Sequence, residues 1–218
     1  RAEGGDFLLR IEDIDQSRAR PEWEAHIYDD LRWLGLWWPE PVMRQSERQS
    51  TYQEALEKLW LGGLLYPCVC SRRDIEAAAS APQEGAPLHG PDGLIYPGTC
   101  RDRMAHERNF PEDHPRPTLD ALRLDMTRAT GQSRVFQHRI DRPEGGWAWY
   151  ASYLEKGNGV SQTGLMEFTP DDLIDRIGDV VLARRDMGTS YHLSVVVDDA
   201  AQGITDVVRG ADLAEATP

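Results

Sequence analysis

Three things are scarce in this chain of 218 residues, and each scarcity excludes something. Cysteine occurs only three times. An odd, small count argues against a disulfide framework, and Cys68 and Cys70, one residue apart, would bridge each other poorly. The pattern points to a reducing, cytoplasmic setting. Long apolar runs are missing, and none approaches the roughly 20 residues of a membrane-spanning helix. No apolar stretch precedes Phe7, so a secretory signal is not in evidence. Positive charge is short, with 24 Lys and Arg against 37 Asp and Glu and a net charge of −13. A protein that grips nucleic acid mainly by electrostatics needs a basic face to displace counterions. A free-standing RNA-binding module is therefore disfavoured, although local basic patches can coexist with a negative total. Hydrophobic residues at 40% and charged residues at 28% describe an ordinary globular chain. Its length suits one large domain or one domain with a sizeable insert.

The few cysteines are concentrated in one stretch, as Cys68-x-Cys70 followed by Tyr96-x-x-x-Cys100. Thiolates are good zinc ligands, and a closed structural site needs four donors in a tetrahedron. Three thiolates and the Tyr96 phenolate would complete one. The spacing leaves a second reading open, because free cysteines are often small buried hydrophobes.

The patterning predicts a buried strand at Phe7–Ile11 that ends in the acidic turn Glu12-Asp13-Ile14-Asp15. Pro21 opens a helix whose Trp23, Ile27, Leu31 and Leu34 share one apolar face, with Gly35 placed to end it. A second helix runs from about Glu47 to Leu61, with Tyr52, Leu56, Leu59 and Trp60 apolar and Gly62-Gly63 as its stop. Leu64-Leu65-Tyr66 is a short strand, and Ser71 caps a helix over 72–80. Residues 81–98 are rich in Pro and Gly and read as a loop. Leu119–Met126 and Ser133–Ile140 are expected to pair as strands, whereas 143–168 has no clear assignment. Thr169-Pro170-Asp171-Asp172 opens a short helix. Val180–Arg184, Tyr191–Val197 and Ile204–Val208 read as strands. The early strand–helix alternation gives an α/β class with an interrupting subdomain. The tryptophans, including Trp37-Trp38 and the Trp147/Trp149 pair, are expected as core or loop anchors rather than a platform for stacking bases.

Three blocks, in this order, resemble the catalytic core of the glutamate-specific branch of class I aminoacyl-tRNA synthetases. They are Phe7-Leu-Leu-Arg-Ile-Glu-Asp-Ile-Asp15 with Ser17 and Arg18; Leu31-Arg-Trp-Leu-Gly-Leu36 with Gln45-Ser-Glu-Arg48; and Tyr191-His-Leu-Ser-Val-Val-Val-Asp-Asp199 with Gln202-Gly-Ile-Thr205 and Val208-Arg-Gly-Ala-Asp212. Within that branch the cysteine and tyrosine pattern looks like the zinc site of the glutamyl-queuosine tRNA(Asp) synthetases, short paralogues without the anticodon-binding domain. The resemblance implies a Rossmann-type catalytic core with an inserted zinc-bearing subdomain. The expected division is 1–66 core, 67–117 zinc-binding insert and 118–218 the remaining connector and second part of the core.

The resemblance also implies chemistry. Glutamate is activated with ATP, accompanied by Mg2+, and attached to the queuosine base of tRNA(Asp) by a monomer with no membrane partner. These paralogues activate glutamate without tRNA, whereas ordinary glutamyl-tRNA synthetases generally need tRNA first. One structural Zn2+ would be held by Cys68, Cys70, Tyr96 and Cys100. L-glutamate would be bound by Glu12, an acceptor for the ammonium group, by the Tyr191 hydroxyl, and by Arg209, paired with the side-chain carboxylate. Each has a plainer role open to it: a capping or surface acid for Glu12, core packing for Tyr191, an ion pair with Asp212 for Arg209. Asp13 and Asp15 read as solvated or capping acids, and His192 as facing away from Tyr191 on a strand. The HIGH- and KMSKS-type motifs of the class are absent; in the family they would fall before Phe7 and beyond Pro218. The chain is thus expected to be a core fragment that does not catalyse adenylation by itself.

Overall fold

The computed structural model describes residues 4–79, 89–90, 93–104, 114–136, 138–141, 145–157, 163–208 and 210. In chain order the elements are β1 (Arg10–Ile11), α1 (Pro21–Trp33), β2 (Met43–Arg44), a 3-10 turn (Gln45–Arg48), α2 (Gln49–Leu61), β3 (Leu65–Cys68), α3 (Arg72–Ala79), β4 (His89–Gly90), β5 (Gly93–Leu94), α4 (Thr99–Met104), β6 (Ala121–Leu124), α5 (Met126–Gln132), β7 (His138–Asp141), β8 (Trp147–Glu155), β9 (Gly164–Phe168), α6 (Pro170–Asp172) running into a π-helical turn (Leu173–Ile177), β10 (Val181–Ala183) and α7 (Tyr191–Gln202). None of the helices described is long and apolar enough to cross a membrane.

β1 and β2 pair in parallel with α1 as their crossover. This is the one parallel ladder among the described residues, and β2 is two residues long, so only Arg10 and Ile11 of the expected 7–11 strand are paired. α1 forms where Pro21 pre-sets its first turn, and it ends at Gly35 (φ +71°), where Leu36 N–H closes on the Leu31 carbonyl. No residue of α1 is fully buried, so its expected apolar face stays largely open: Trp23 and Leu34 are exposed.

The core sits where α2 and α7 cover a three-stranded antiparallel sheet of order β10-β6-β3. Tyr52, Leu56 and Trp60 of α2, four residues apart, pack on Leu65, Leu122, Leu182 and Leu193. Ser71 caps α3 as expected, its hydroxyl accepting from Asp74 N–H while the Asp74 carboxylate accepts from Ser71 N–H. Thr169 and Asp172 close the same reciprocal box at α6.

Three expected strands are corrected. Tyr191–Val197 is the start of helix α7. A short apolar run is ambiguous between a strand and a buried helix, and here Ser190 decides it: its hydroxyl accepts from Leu193 N–H, and Gly203 ends the helix in the left-handed region. Replacing Ser190 with alanine is expected to cost about 1 kcal/mol, read as a lower midpoint of urea unfolding. Ser133–Ile140 does not pair with Leu119–Met126, because β6 has both edges taken by β3 and β10. Asp125 caps α5 inside that stretch, and β7 pairs with β8 instead. The third, Ile204–Val208, has no ladder partner among the described residues. The unassigned 143–168 region supplies β8 and β9, which join β7 in the antiparallel sheet β7-β8-β9. Trp147 and Trp149 lie exposed on it in an edge-to-face pair rather than in the core, and Trp37 is exposed as well. Trp60 is buried, and Trp38 stacks on Tyr28.

Candidate functional site

The antiparallel neighbours β3 and β6 flank the cysteine segment. Cys68 ends β3, Cys70 follows two residues on, Tyr96 lies just before α4, and Cys100 sits in its first turn. The three Sγ atoms all lie within 4.8 Å of one another. Tyr96 Oη is 3.5 Å from both Cys68 Sγ and Cys70 Sγ, and Cys70 Sγ is 3.5 Å from Cys100 Sγ. Zinc bonds of about 2.3 Å to sulfur and 2.0 Å to oxygen give tetrahedral edges of about 3.8 Å between sulfurs and about 3.5 Å from sulfur to oxygen. The three edges given are near these values, and Cys68, Cys70, Tyr96 and Cys100 are the residues that could hold a single ion. Other groups suit its charge. Cys100 N–H donates to Tyr96 Oη at 2.8 Å, Arg123 Nε to Cys68 Sγ at 3.4 Å and Arg103 Nη2 to Cys100 Sγ at 3.5 Å. The Arg123 guanidinium also lies over the Tyr96 ring, 3.9 Å from its centroid. Three thiolates, a phenolate and Zn2+ would carry two net negative charges, which two arginines offset.

Protons are unevenly shared in this cluster. Burial pushes the Cys70 thiol and the Tyr96 phenol up. Burial acts on Cys100 too, but hydrogen bonds from the Tyr96 hydroxyl and the backbone at Val69 outweigh it and bring the thiol down to about 7. Behind the cluster, buried Asp179 binds Tyr66 Oη at 2.5 Å, Met126 N–H at 2.9 Å and the Arg101 guanidinium at 3.1 Å. Burial raises its carboxyl.

The second constellation joins the ends of β1 and α7. Glu12 follows β1 and is 40% exposed. It borders a groove of about 650 Å³ that Trp23, Ile27 and Arg44 also line. Tyr191 opens α7 with its ring half-exposed; burial first, then the nearby Glu12 charge, raises its hydroxyl. Arg209 lies outside the described residues. Asp13 caps the 3-10 turn, accepting from Ser46 N–H at 2.9 Å and Ser46 Oγ at 2.7 Å, and Asp15 accepts from Ser17. His192, one step round the helix from Tyr191, lines a different groove of about 790 Å³ with Cys68, Arg184 and Arg185.

Sequence reasoning missed the groups that organise these sites. Arg10 binds Glu12 and Asp199, and those hydrogen bonds hold its pKa high against burial. Asp198, fully buried, accepts from Arg48 Nε at 2.6 Å, Tyr52 Oη at 2.8 Å and Gln45 Nε2 at 3.1 Å. The available signal was position: Arg10 precedes Glu12 by two, hence on one side of a strand, and Gln45, Arg48 and Asp198 stand inside the quoted blocks.

The layout is that of an α/β core with a cysteine-rich excursion between neighbouring strands. Residues 1–128 match the family described as tRNA synthetases class I (E and Q), catalytic domain, which sets the class. A glutamate tRNA ligase from Elizabethkingia meningosepticum, solved in complex with its amino acid, matches over 96% of this chain and 38% of its own at TM-score 0.54 and 22% identity. Glutamate-tRNA synthetase from Elizabethkingia anophelis matches over 98% of this chain and 39% of its own at TM-score 0.56 and 22% identity. At that identity these two establish the fold alone. The glutamyl-Q tRNA(Asp) synthetase of Rhodobacter capsulatus is 53% identical over the whole chain and 69% of its own length. Those of Symbiobacterium thermophilum and Nocardia farcinica are 38% and 39% identical, again over the whole chain, which covers 59% and 56% of their lengths. The chain belongs to the glutamyl-Q tRNA(Asp) synthetase family within that class.

Proposed function

We propose that this chain is the core of a cytoplasmic, monomeric enzyme that activates L-glutamate with ATP and transfers it to the queuosine base of tRNA(Asp). The observation that carries this reading is the 53% identity, over the whole chain, to a relative named for that activity. Residues 67–117 are read as the zinc-bearing insert between core segments 1–66 and 118–218.

In this reading Glu12 accepts the substrate ammonium group and Tyr191 directs its hydroxyl at the amino acid. Arg209 pairs with the side-chain carboxylate. A neutral glutamine amide would leave that guanidinium without its counter-charge, which gives a basis for choosing glutamate. The α-carboxylate of glutamate attacks the α-phosphate of ATP, and pyrophosphate leaves. No side-chain nucleophile takes part; the protein positions the two substrates and stabilises charge, with Mg2+ accompanying ATP. Cys68, Cys70, Tyr96 and Cys100 would hold a structural zinc, whose binding energy would add to the stability of the segment from β3 to α4.

The test is ATP–pyrophosphate exchange with glutamate on the full gene product, with and without tRNA. Exchange without tRNA is the expected result. Exchange that requires tRNA would favour an ordinary glutamyl-tRNA synthetase, and no exchange in either condition would favour a non-catalytic zinc-stapled binding module.

A further inference from the structure

Glu12 and Tyr191 stand on different elements, the turn after β1 and the first residue of α7, and one side chain ties those elements together. Arg10 Nη2 donates to Glu12 Oε1 at 2.9 Å. Its other terminal nitrogen, Nη1, donates to Asp199 Oδ1 at 2.5 Å and to Gln202 Oε1 at 3.4 Å, both on α7. Nε lies 4.0 Å from the carboxylate of Asp198, which is fixed in turn by Arg48, Tyr52 and Gln45. The Arg10 side chain is only 15% exposed, whereas the Glu12 carboxylate it holds opens to solvent. Among the described residues, Arg10 is the one hydrogen-bond partner that the Glu12 carboxylate has.

We infer that Arg10 is a positioning residue: it anchors on α7, fixes one oxygen of Glu12, and leaves the other oxygen to receive a substrate ammonium group. The inference rests on the reading of Glu12 given above and adds to it how that carboxylate is aimed. A free glutamate side chain would have to lose its rotamer freedom each time substrate bound. Held by a guanidinium whose far side is hydrogen-bonded to Asp199 and Gln202 on α7, it is already in place. Arginine suits this and lysine does not. The planar fork offers separate nitrogens to carboxylates on opposite sides, whereas an ammonium is a single point charge.

The experiment compares the KM for glutamate with the KM for ATP in pyrophosphate exchange on the full gene product. Arg10→Gln is expected to raise the KM for glutamate about tenfold while the KM for ATP moves less than about twofold. In a Glu12→Gln background the same change should add less than about twofold, because the group through which Arg10 acts is gone. Asp199→Asn, which weakens the anchor and spares the Glu12 contact, should raise the KM for glutamate by a smaller factor. It, with Arg10→Lys, carries the test if Arg10→Gln does not fold. Equal rises in both KM values, or an Arg10→Gln effect of the same size with and without the Glu12 carboxylate, would overturn the inference and leave Glu12 as the ammonium acceptor. An unchanged KM for glutamate in Glu12→Gln would remove the Glu12 assignment itself, and the inference with it.

Discussion

Replacing Asp198 with alanine is expected to destabilise the fold by about 3–5 kcal/mol, the cost of removing one member of a buried charge network. The carboxylate is wholly enclosed and accepts from three donors on the 3-10 turn and α2, namely Gln45, Arg48 and Tyr52. Alanine would strand a guanidinium, an amide and a phenol together, with little water to replace the lost acceptor. Among the described residues Gln45 Oε1 already has no hydrogen-bond partner, so losing Asp198 would leave both ends of that amide unpaired. Asp198→Asn keeps the shape and an acceptor oxygen but puts two donated hydrogens against donors. It should fall between wild type and alanine. Equilibrium unfolding in urea, followed by circular dichroism, measures both. A cost below about 1 kcal/mol for the alanine variant would make the network no stronger than an exposed ion pair.

The same residue shows what the sequence could and could not disclose. The helical spacing of Tyr52, Leu56 and Trp60 was legible because burial on one face imposes a period. The Ser71 and Thr169 caps were legible because local hydrogen bonding needs particular side chains at fixed offsets. The three-valine run at 195–197 was not, since β-branched residues suit a strand and a buried helix face alike. As a strand over 191–197 it left Asp198 and Asp199 just beyond its end. As a helix capped by Ser190 it turns Leu193, Ser194 and Asp198 inward. Read that way, a pair of acids that resembled a strand terminator becomes the link between α2, β1 and α7. That Cys68, Cys70, Tyr96 and Cys100 come together was legible from spacing and chemistry together. Arg123 and Arg103, which balance its charge, were not, because β6 brings Arg123 alongside β3 through a pairing that no local pattern encodes. Exposed Trp147 and Trp149 failed for a related reason: the size of a side chain argues for burial only where something is there to cover it.

Loss of stoichiometric zinc is the second large effect expected, and Tyr96 is the residue on which it is most informative. The protein should carry about one zinc per chain, and Cys70→Ser or Cys100→Ser should bring that close to none, since a structural site with a ligand removed no longer closes its tetrahedron. Because a closed site contributes its binding energy to folding, these variants should also lose order between β3 and α4. Tyr96→Phe separates ligation from packing: the ring stays beneath the Arg123 guanidinium, and only the oxygen 3.5 Å from Cys68 Sγ and Cys70 Sγ disappears. Zinc affinity in that variant, from competition with a chromophoric chelator, should fall at least about 100-fold, beyond the usual loss on removing an outer-shell partner. Wild-type affinity would mean that Tyr96 only donates hydrogen bonds to the thiols, leaving a three-sulfur site. Metal and protons compete for these donors, and burial holds the Cys70 thiol and the Tyr96 phenol up. Ligation must therefore release protons, and the affinity of the intact site should fall as pH falls. That dependence should be shallower in Tyr96→Phe, where the phenol proton no longer has to leave.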